Sequence, residues 1–413
     1  MKTEQEHNNE QCTMNNVQWK KVKLGECCTI HGRIGFRGYT TDDLVEKGYG
    51  AITFSPSDIH NFKLCYDDCD YITWKKYEES PEIKVFNGDI LFCKTASIGK
   101  CAYVEGLKEK ATINPQFVVL KNFQCDSKFL FYKLISYGFQ TQVQGITGGS
   151  TIKTMSQEKL SLEEISVPNL PAQRRIAAIL ASADKVIVAT QKTIAKYKQI
   201  KQGMMEDLLK PKDGWKKVKL GEVCAVNPKT DTTKVLDDDF VTFVRMEDVS
   251  NDGIIASFSE RPYKSLLKKG FTIFQNDDVI FAKITPCMEN GKGALVRNMK
   301  SKICMGSTEF HVLRACDNVS IDFIYQLTIS KQFRQRAEMQ MTGSAGQQRV
   351  PTAFLEDYLI SIPFKNGKPD LTAQRRIAAI LSGIDAKIAA EEKVLQKYEK
   401  VKKGLMERLF SSN

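Results

Sequence analysis

The chain has 413 residues, 42% hydrophobic and 26% charged, with a formal net charge of +11. That length and composition predict two or three soluble globular domains, and the positive balance agrees with a polyanionic partner without requiring one. No run approaches the ~18 apolar residues of a membrane span, and the twelve cysteines lack a Cys-x-x-Cys pair or a secretory leader, which sets aside a bilayer protein and a disulfide scaffold.

Residues 1–16 are polar, without periodicity, and predict a flexible tail. Trp19, Val22 and Leu24 open an alternating strand that carries Lys20, Lys21 and Lys23. The cluster Cys27, Cys28, His31, His60, Cys65 and Cys69 offers no converging set of four ligands, so we expect reduced thiols and no metal. Residues 32–38 are glycine-rich but lack both Gly-Lys-Ser/Thr and G-x-G-x-x-G, which argues against a nucleotide loop. They read instead as a flexible loop carrying Arg33 and Arg37 towards DNA. Asn87-Gly-Asp89 is a turn, residues 90–93 a strand, residues 94–100 a loop with Lys94, Ser97 and Lys100, and residues 101–104 a strand. Asn114-Pro-Gln-Phe117 lacks the second proline of the adenine-methyltransferase motif and reads as a turn into a strand at 117–120. Pro81-Glu-Ile-Lys84 is a nuclease fragment without its paired acid. Residues 127–137 predict a helix, and 165–168 a closing strand.

Two small-residue segments follow the same plan. Residues 147–153 carry Thr147, Ser150, Thr151 and Lys153. Residues 342–349 carry Thr342, Ser344, Gln347, Gln348 and Arg349. Small polar residues let a backbone approach phosphate, and Gln and Arg side chains suit the edges of adenine and guanine. In the second half Arg245 ends a buried strand at 241–246, Lys283 and Lys292 bound a loop, and 360–363 close the globule.

The chain is an internal repeat. Pro171-Ala-Gln-Arg-Arg-Ile-Ala-Ala-Ile-Leu180 recurs as Thr372-Ala-Gln-Arg-Arg-Ile-Ala-Ala-Ile-Leu381, and Tyr197-Lys-Gln-Ile-Lys-Gln-Gly-Met-Met-Glu206 as Tyr398-Glu-Lys-Val-Lys-Lys-Gly-Leu-Met-Glu407, both offset by 201 residues. Trp19-Lys-Lys-Val-Lys-Leu-Gly-Glu26 recurs from Trp215, and Asn87–Lys94 is answered by Asn276–Lys283. The order is globule, rod, globule, rod. A coiled-coil seam runs through Ile176, Leu180, Ile187, Ile194 and Tyr197, and through Ile377, Leu381, Ile388, Leu395 and Tyr398. Thr190, Glu391, Lys201 and Lys402 are its polar exceptions. Each rod is roughly 48 Å long at ~1.5 Å per residue, and the connectivity predicts antiparallel rods about a pseudo-two-fold axis. Gly203 and Gly404 each cost about 1 kcal/mol in a helix, which close packing against a neighbour would offset.

This duplicated arrangement resembles the specificity subunit of type I restriction–modification systems. The boundaries are then a tail at 1–16, target-recognition domains at 17–170 and 211–370, and spacer helices at 171–210 and 371–413. The fold class is α/β (α+β), two globules joined by two long antiparallel coiled-coil helices. The resemblance implies a cytoplasmic, non-catalytic subunit that reads double-stranded DNA at a bipartite, asymmetric site. The rods would act as a ruler. It implies two modification (methyltransferase) subunits bringing S-adenosylmethionine and two restriction subunits bringing ATP-driven translocation with magnesium, no cofactor on this chain, and no membrane. Loops of differing sequence on a repeated scaffold suit two different half-sites, so the expected DNA contacts are Arg33, Arg37, Lys94, Ser97, Lys100, Thr147, Ser150, Thr151 and Lys153 in the first half and Arg245, Lys283, Lys292, Thr342, Ser344, Gln347, Gln348 and Arg349 in the second. The competing readings are an adaptor whose globules bind protein, and a self-contained methyltransferase or nuclease.

Overall fold

The computed structural model describes residues 18–146, 154–251, 253–267, 270–344 and 346–410. The expected tail and the candidates Thr147, Ser150, Thr151 and Lys153 lie outside the described residues. The chain forms two compact units, residues 1–191 with 394–413, and residues 192–393.

In the first unit, Lys20–Lys23 pairs antiparallel with Glu164–Val167, joining the start of the globule to the strand before the long helix. One four-stranded sheet runs Thr29–Gly32, Phe117–Lys121, Ile90–Cys93, Cys101–Tyr103, and a second runs Ala111–Ile113, Gly50–Phe54, Tyr71–Thr73, Leu44–Val45. Successive side chains of a strand face opposite ways. Ile90, Phe92, Val118 and Leu120 therefore pack with the helices Ser127–Leu134 and Tyr137–Ile146. Leu91, Cys93, Phe117 and Val119 pack with Ile52, Phe54 and Ile113 of the second sheet. The result is a helix layer, a sheet buried on both faces, and a second sheet. The helix expected over 127–137 breaks after Leu134, where Ser136 Oγ donates to the Lys133 carbonyl.

The second unit repeats the plan. Its first sheet runs Cys224–Val226, Phe310–Ala315, Asp278–Ala282, Gly293–Leu295, and Trp215–Lys219 pairs with Leu359–Lys365. Val279, Phe281 and Leu313 face Phe323, Ile324 and Phe333, while Ile280, Phe310 and Val312 face the other sheet. Both units keep one parallel pair in that other sheet, Gly50–Phe54 with Ala111–Ile113 and Phe240–Val244 with Cys304–Gly306. The strands around it differ.

The repeated Asn-x-Asp turn is a structural clasp. Asn87 exchanges two hydrogen bonds with the Leu107 backbone, and Asn276 does the same with Met299. Asp89 accepts from the Phe86 amide and pairs with Lys121 at 3.0 Å. Asp278, fully buried, accepts from the Gln275 amide and takes both prongs of Arg314 at 2.7 Å.

The long helices are Leu170–Leu208 and Leu371–Phe410. Each begins on a side-chain cap: Asn169 Oδ1 accepts from the Ala172 amide and Asp370 Oδ1 from the Ala373 amide, both at 3.0 Å. In the second unit Lys198 pairs with Glu392 and Lys201 with Asp385, so the helices run in opposite directions. Of the expected seam, Ile176, Leu180, Ile187, Ile194, Leu381 and Ile388 are buried, while Tyr197, Ile377 and Leu395 are half-buried. Tyr398 is exposed and leaves the seam. An α-helix drifts ~20° per heptad against a strict 3.5-residue repeat, and near the end of Leu170–Leu208 the buried residue is Met205, while in the second helix Leu405 and Leu409 stay half-buried in the expected register. Thr190 is buried, with its hydroxyl donated to Val186 O within its own helix, so it needs no polar partner across the seam. Among the described residues nothing outside the helix's own backbone lies within 4 Å of a Cβ built on Gly203 or Gly404, so close packing within this chain does not account for them.

Candidate nucleic-acid interface

The same junction forms in both units. In the first, Lys94 N donates to Gln116 O and Met155 N to Lys94 O, both at 2.8 Å, and Thr95 bridges Thr154. In the second, Lys283 N donates to Glu309 O and Val350 N to Lys283 O, both at 2.9 Å, and Ile284 bridges Arg349. Each hairpin loop is thus fastened to the segment that precedes the closing helix, Gln157–Leu162 in one unit and Thr352–Asp357 in the other. Lys94 and Ser97 lie on this edge in the first unit. Lys283, Thr342, Ser344, Gln347, Gln348 and Arg349 lie on it in the second. Ser97, Thr342, Ser344 and Gln347 are exposed.

Two of the expected contact lysines also hold the loop. Lys100 Nζ donates to Pro56 O, and Lys292 Nζ donates to Met246 O at 2.9 Å. These carbonyls belong to matching turns, Pro56–Asp58 and Met246–Asp248, each closed by an aspartate accepting from the residue before it. Arg245 faces that aspartate, with Nε at 3.0 Å and Nη2 at 2.9 Å from Asp248, and also pairs with Glu247. The guanidinium holds the Asp248 carboxyl down at about 2.

Arg33 is a correction. It is 5% exposed, and its guanidinium donates to Ile113 O, Thr112 Oγ1 and Arg37 O. Burial pushes its pKa down. It ties the loop to the parallel strand pair, a role that glycine-rich composition does not signal. Arg37 lies 3.7 Å from Glu82.

Sequence reasoning missed Glu309. Its carboxylate takes Arg349 Nη2 at 2.7 Å and Nε at 2.9 Å. The guanidinium holds Glu309 below the usual carboxylate range, helped by Lys283. Behind it His311 is 3% exposed, with Nε2 2.8 Å from Val350 O and Nδ1 3.1 Å from Asn227 Nδ2. The signal that was available is alignment of the two halves, which sets Glu309 on Gln116 of the Asn114-Pro-Gln-Phe117 turn.

Among the described residues no group of three or more His, Cys, Asp or Glu side chains is arranged to hold a metal, and no helix is long and apolar enough to cross a membrane.

The description of the type I restriction modification DNA specificity domain matches this chain twice, over residues 16–202 and 212–400. The EcoEI specificity subunit of a type I restriction enzyme from Escherichia coli is 36% identical over 171 residues, 41% of this chain and 27% of that protein. The EcoAI specificity subunit, also from Escherichia coli, is 36% identical over 219 residues, 51% of this chain and 35% of that protein. The matched stretch thus spans about a third of these relatives. The solved type I restriction–modification S subunit from M. genitalium shares the fold, with a TM-score of 0.58 and 14% identity over 96% of this chain and 97% of that one. With the family matched over most of its length, in two copies that coincide with the two repeats, the chain belongs to the type I restriction modification DNA specificity family.

Proposed function

We propose that the chain is the DNA-recognition subunit of a cytoplasmic type I restriction–modification complex, with no catalytic activity of its own. Each globule reads one half of a bipartite DNA site, and the long helices set the spacing and dock two modification and two restriction subunits. S-adenosylmethionine, ATP and magnesium belong to those partners. The observation that carries this reading is the doubled DNA-specificity domain, each copy fastening a hairpin loop to a pre-helix segment while changing the side chains displayed there. Thr154 and Gln116 in one copy stand where Arg349 and Glu309 stand in the other. A scaffold held constant while its edge varies suits two different half-sites. Reading through the major groove distinguishes all four base pairs, and the phosphate contacts that position a reader make its binding fall with salt.

The test is methylation mapping. The chain is co-expressed with its cognate modification subunit in methylation-free cells, and the DNA is sequenced for methyladenine. An asymmetric bipartite motif present only with this chain is the expected result. Replacing residues 211–370 with those of a relative then changes one half-site. A verified complex that methylates no motif, or methylation by the chain alone, overturns the proposal.

A further inference from the structure

We propose that Arg349, positioned by Glu309, is the residue through which the second globule selects a guanine in its half-site. The inference rests on the DNA-recognition reading above and deepens it.

The backbone at Arg349 is fixed on both sides. Arg349 N donates to Thr342 O at 2.9 Å and Thr342 N to Arg349 O at 3.0 Å. On the other side Ile284 bridges Arg349, and Thr285 N donates to Gln348 O at 3.0 Å. Glu309 is as firmly placed. It directly precedes the core strand Phe310–Ala315, its carbonyl accepts from Lys283 N, and its amide donates to Ser307 Oγ at 3.2 Å. The carboxylate grips the guanidinium along its Nε–Nη2 edge. A guanidinium has five N–H donors in a planar fork. The grip therefore leaves N–H groups on Nη1 and Nη2, with Nη1 also 3.3 Å from Gln347 O. The side chain remains 43% exposed.

Two arguments point from this geometry to a base and not to phosphate. First, the carboxylate offsets the charge that would attract phosphate but leaves directional donors in place. A planar pair of donors matches the O6 and N7 acceptors of guanine, whereas adenine presents an amino donor at the corresponding place. Second, the pair exists in one copy only. At the equivalent place the first globule has Thr154 and Gln116, and the Gln116 amide oxygen is turned back to Asn114 Nδ2 at 3.2 Å. A pair that served only the scaffold would be needed in both copies, since both make the same backbone junction.

The test uses the full chain assembled with its modification subunit, comparing wild type with Arg349→Gln, Arg349→Lys and Glu309→Gln by methylation mapping and by thermal denaturation. The wild-type motif is expected to carry a guanine in the half-site that changes when residues 211–370 are replaced. Arg349→Gln should weaken the guanine preference at that single position by roughly tenfold to a hundredfold, with the other half-site unchanged. Arg349→Lys keeps the charge but lacks the planar fork, and should relax the same position if Arg349→Gln fails to assemble. Glu309→Gln should relax that position while Arg349 remains. A merely structural pair lowers the melting temperature and leaves the motif intact in all three variants, which overturns the inference, as does a second half-site without guanine. Absence of any wild-type motif from a verified complex removes the functional reading itself, so the two failures are distinguishable.

Discussion

Lys402 Nζ lies 2.7 Å from Asp184 Oδ1, joining the end of the second long helix to the first half of the first. The 201-residue offset of the repeat carries Asp184 to Asp385 and Lys201 to Lys402. The reciprocal pair is present, with Lys201 Nζ 2.6 Å from Asp385 Oδ1. Each aspartate also reaches its own globule, since Asp184 Oδ2 accepts from the Tyr132 hydroxyl at 2.7 Å and Asp385 Oδ2 from Gln326 Nε2 at 3.4 Å. Burial and the Asp184 carboxylate push the Tyr132 pKa up, so the phenol stays a donor. The two lysine interruptions of the apolar seam, Lys201 and Lys402, are thus one device used twice. An antiparallel helix pair shifted by one turn would leave both aspartates without their lysines.

Replacing Lys402 with methionine should destabilise the chain by about 1–3 kcal/mol, because it leaves a largely enclosed carboxylate short of its partner. Removing Asp184 as well should cost less than the sum of the two single changes. The check is a double-mutant cycle in chemical denaturation with Asp184→Asn, where a coupling energy below about 0.5 kcal/mol would dismiss the pair as a register device.

The glutamine of the repeated Ala-Gln-Arg-Arg segment should behave likewise. Gln173 Oε1 accepts from the Asp126 amide at 2.8 Å, and Gln374 Oε1 from the Ser320 amide at 2.9 Å. Asp126 and Ser320 are the N-caps of Ser127–Leu134 and Ile321–Ile329. Each glutamine therefore docks a long helix on the start of a globule helix. Gln374→Ala should lower stability by about 1–3 kcal/mol, the cost of an unpaired buried donor. Leucine should not rescue it, because the lost group is an acceptor and not volume. Denaturation midpoints decide this, and a neutral Gln374→Leu would show that the amide is dispensable.

Periodicity made the long helices legible, because a 3.5-residue stripe survives any tertiary context. Duplication made the globule plan legible, since the Trp19 and Trp215 strands and the Asn-x-Asp hairpins recur in place. The candidate interface was legible only as two loops before each rod. Nothing local marks that the loop at 94–100 fastens to Met155, or the loop beginning at Lys283 to Val350, because strand-edge pairing between distant segments leaves no spacing signal. Arg33, Lys100 and Lys292 show what composition alone does not reveal. A cation in a glycine-rich or hairpin loop looks like a phosphate ligand, yet backbone carbonyls left out of the sheets need donors, and these side chains supply them to Ile113, Pro56 and Met246. Tyr398 marks a single place where a strict heptad reading fails, since Leu405 and Leu409 further along the same register are half-buried against the core.

Gly203→Ala and Gly404→Ala should each stabilise the isolated chain by up to about 1 kcal/mol, since alanine is the better helix former and a methyl group at either place meets open space. Thermal denaturation of the single and double variants measures it. A loss of stability from either substitution would mean that the methyl meets an unseen neighbour.

Acid pH should loosen the second unit through His311. The ring is enclosed, and burial pushes its pKa below the usual 6.5, with Lys283 adding to the shift and Glu309 opposing it. Asn227 Nδ2 donates to Nδ1, and Nε2 donates to Val350 O, a pattern that only the neutral imidazole satisfies. In the unfolded chain the ring takes a proton near 6.5, and in the folded chain only at lower pH. Between those values the unfolded state holds more protons, so stability falls as pH drops below about 6.5 and is unaffected by this group above it. The slope approaches about 1.4 kcal/mol per pH unit inside that window. Denaturation of wild type and His311→Gln from pH 7.5 to 5.5 isolates the contribution, because the variant removes the titration while keeping a donor for Val350. Parallel curves would rule it out. Converging curves would mean that protonation at Nδ1, which sets an N–H against the Asn227 amide donor while Nε2 still donates to Val350 O, costs the folded state its stability as pH falls.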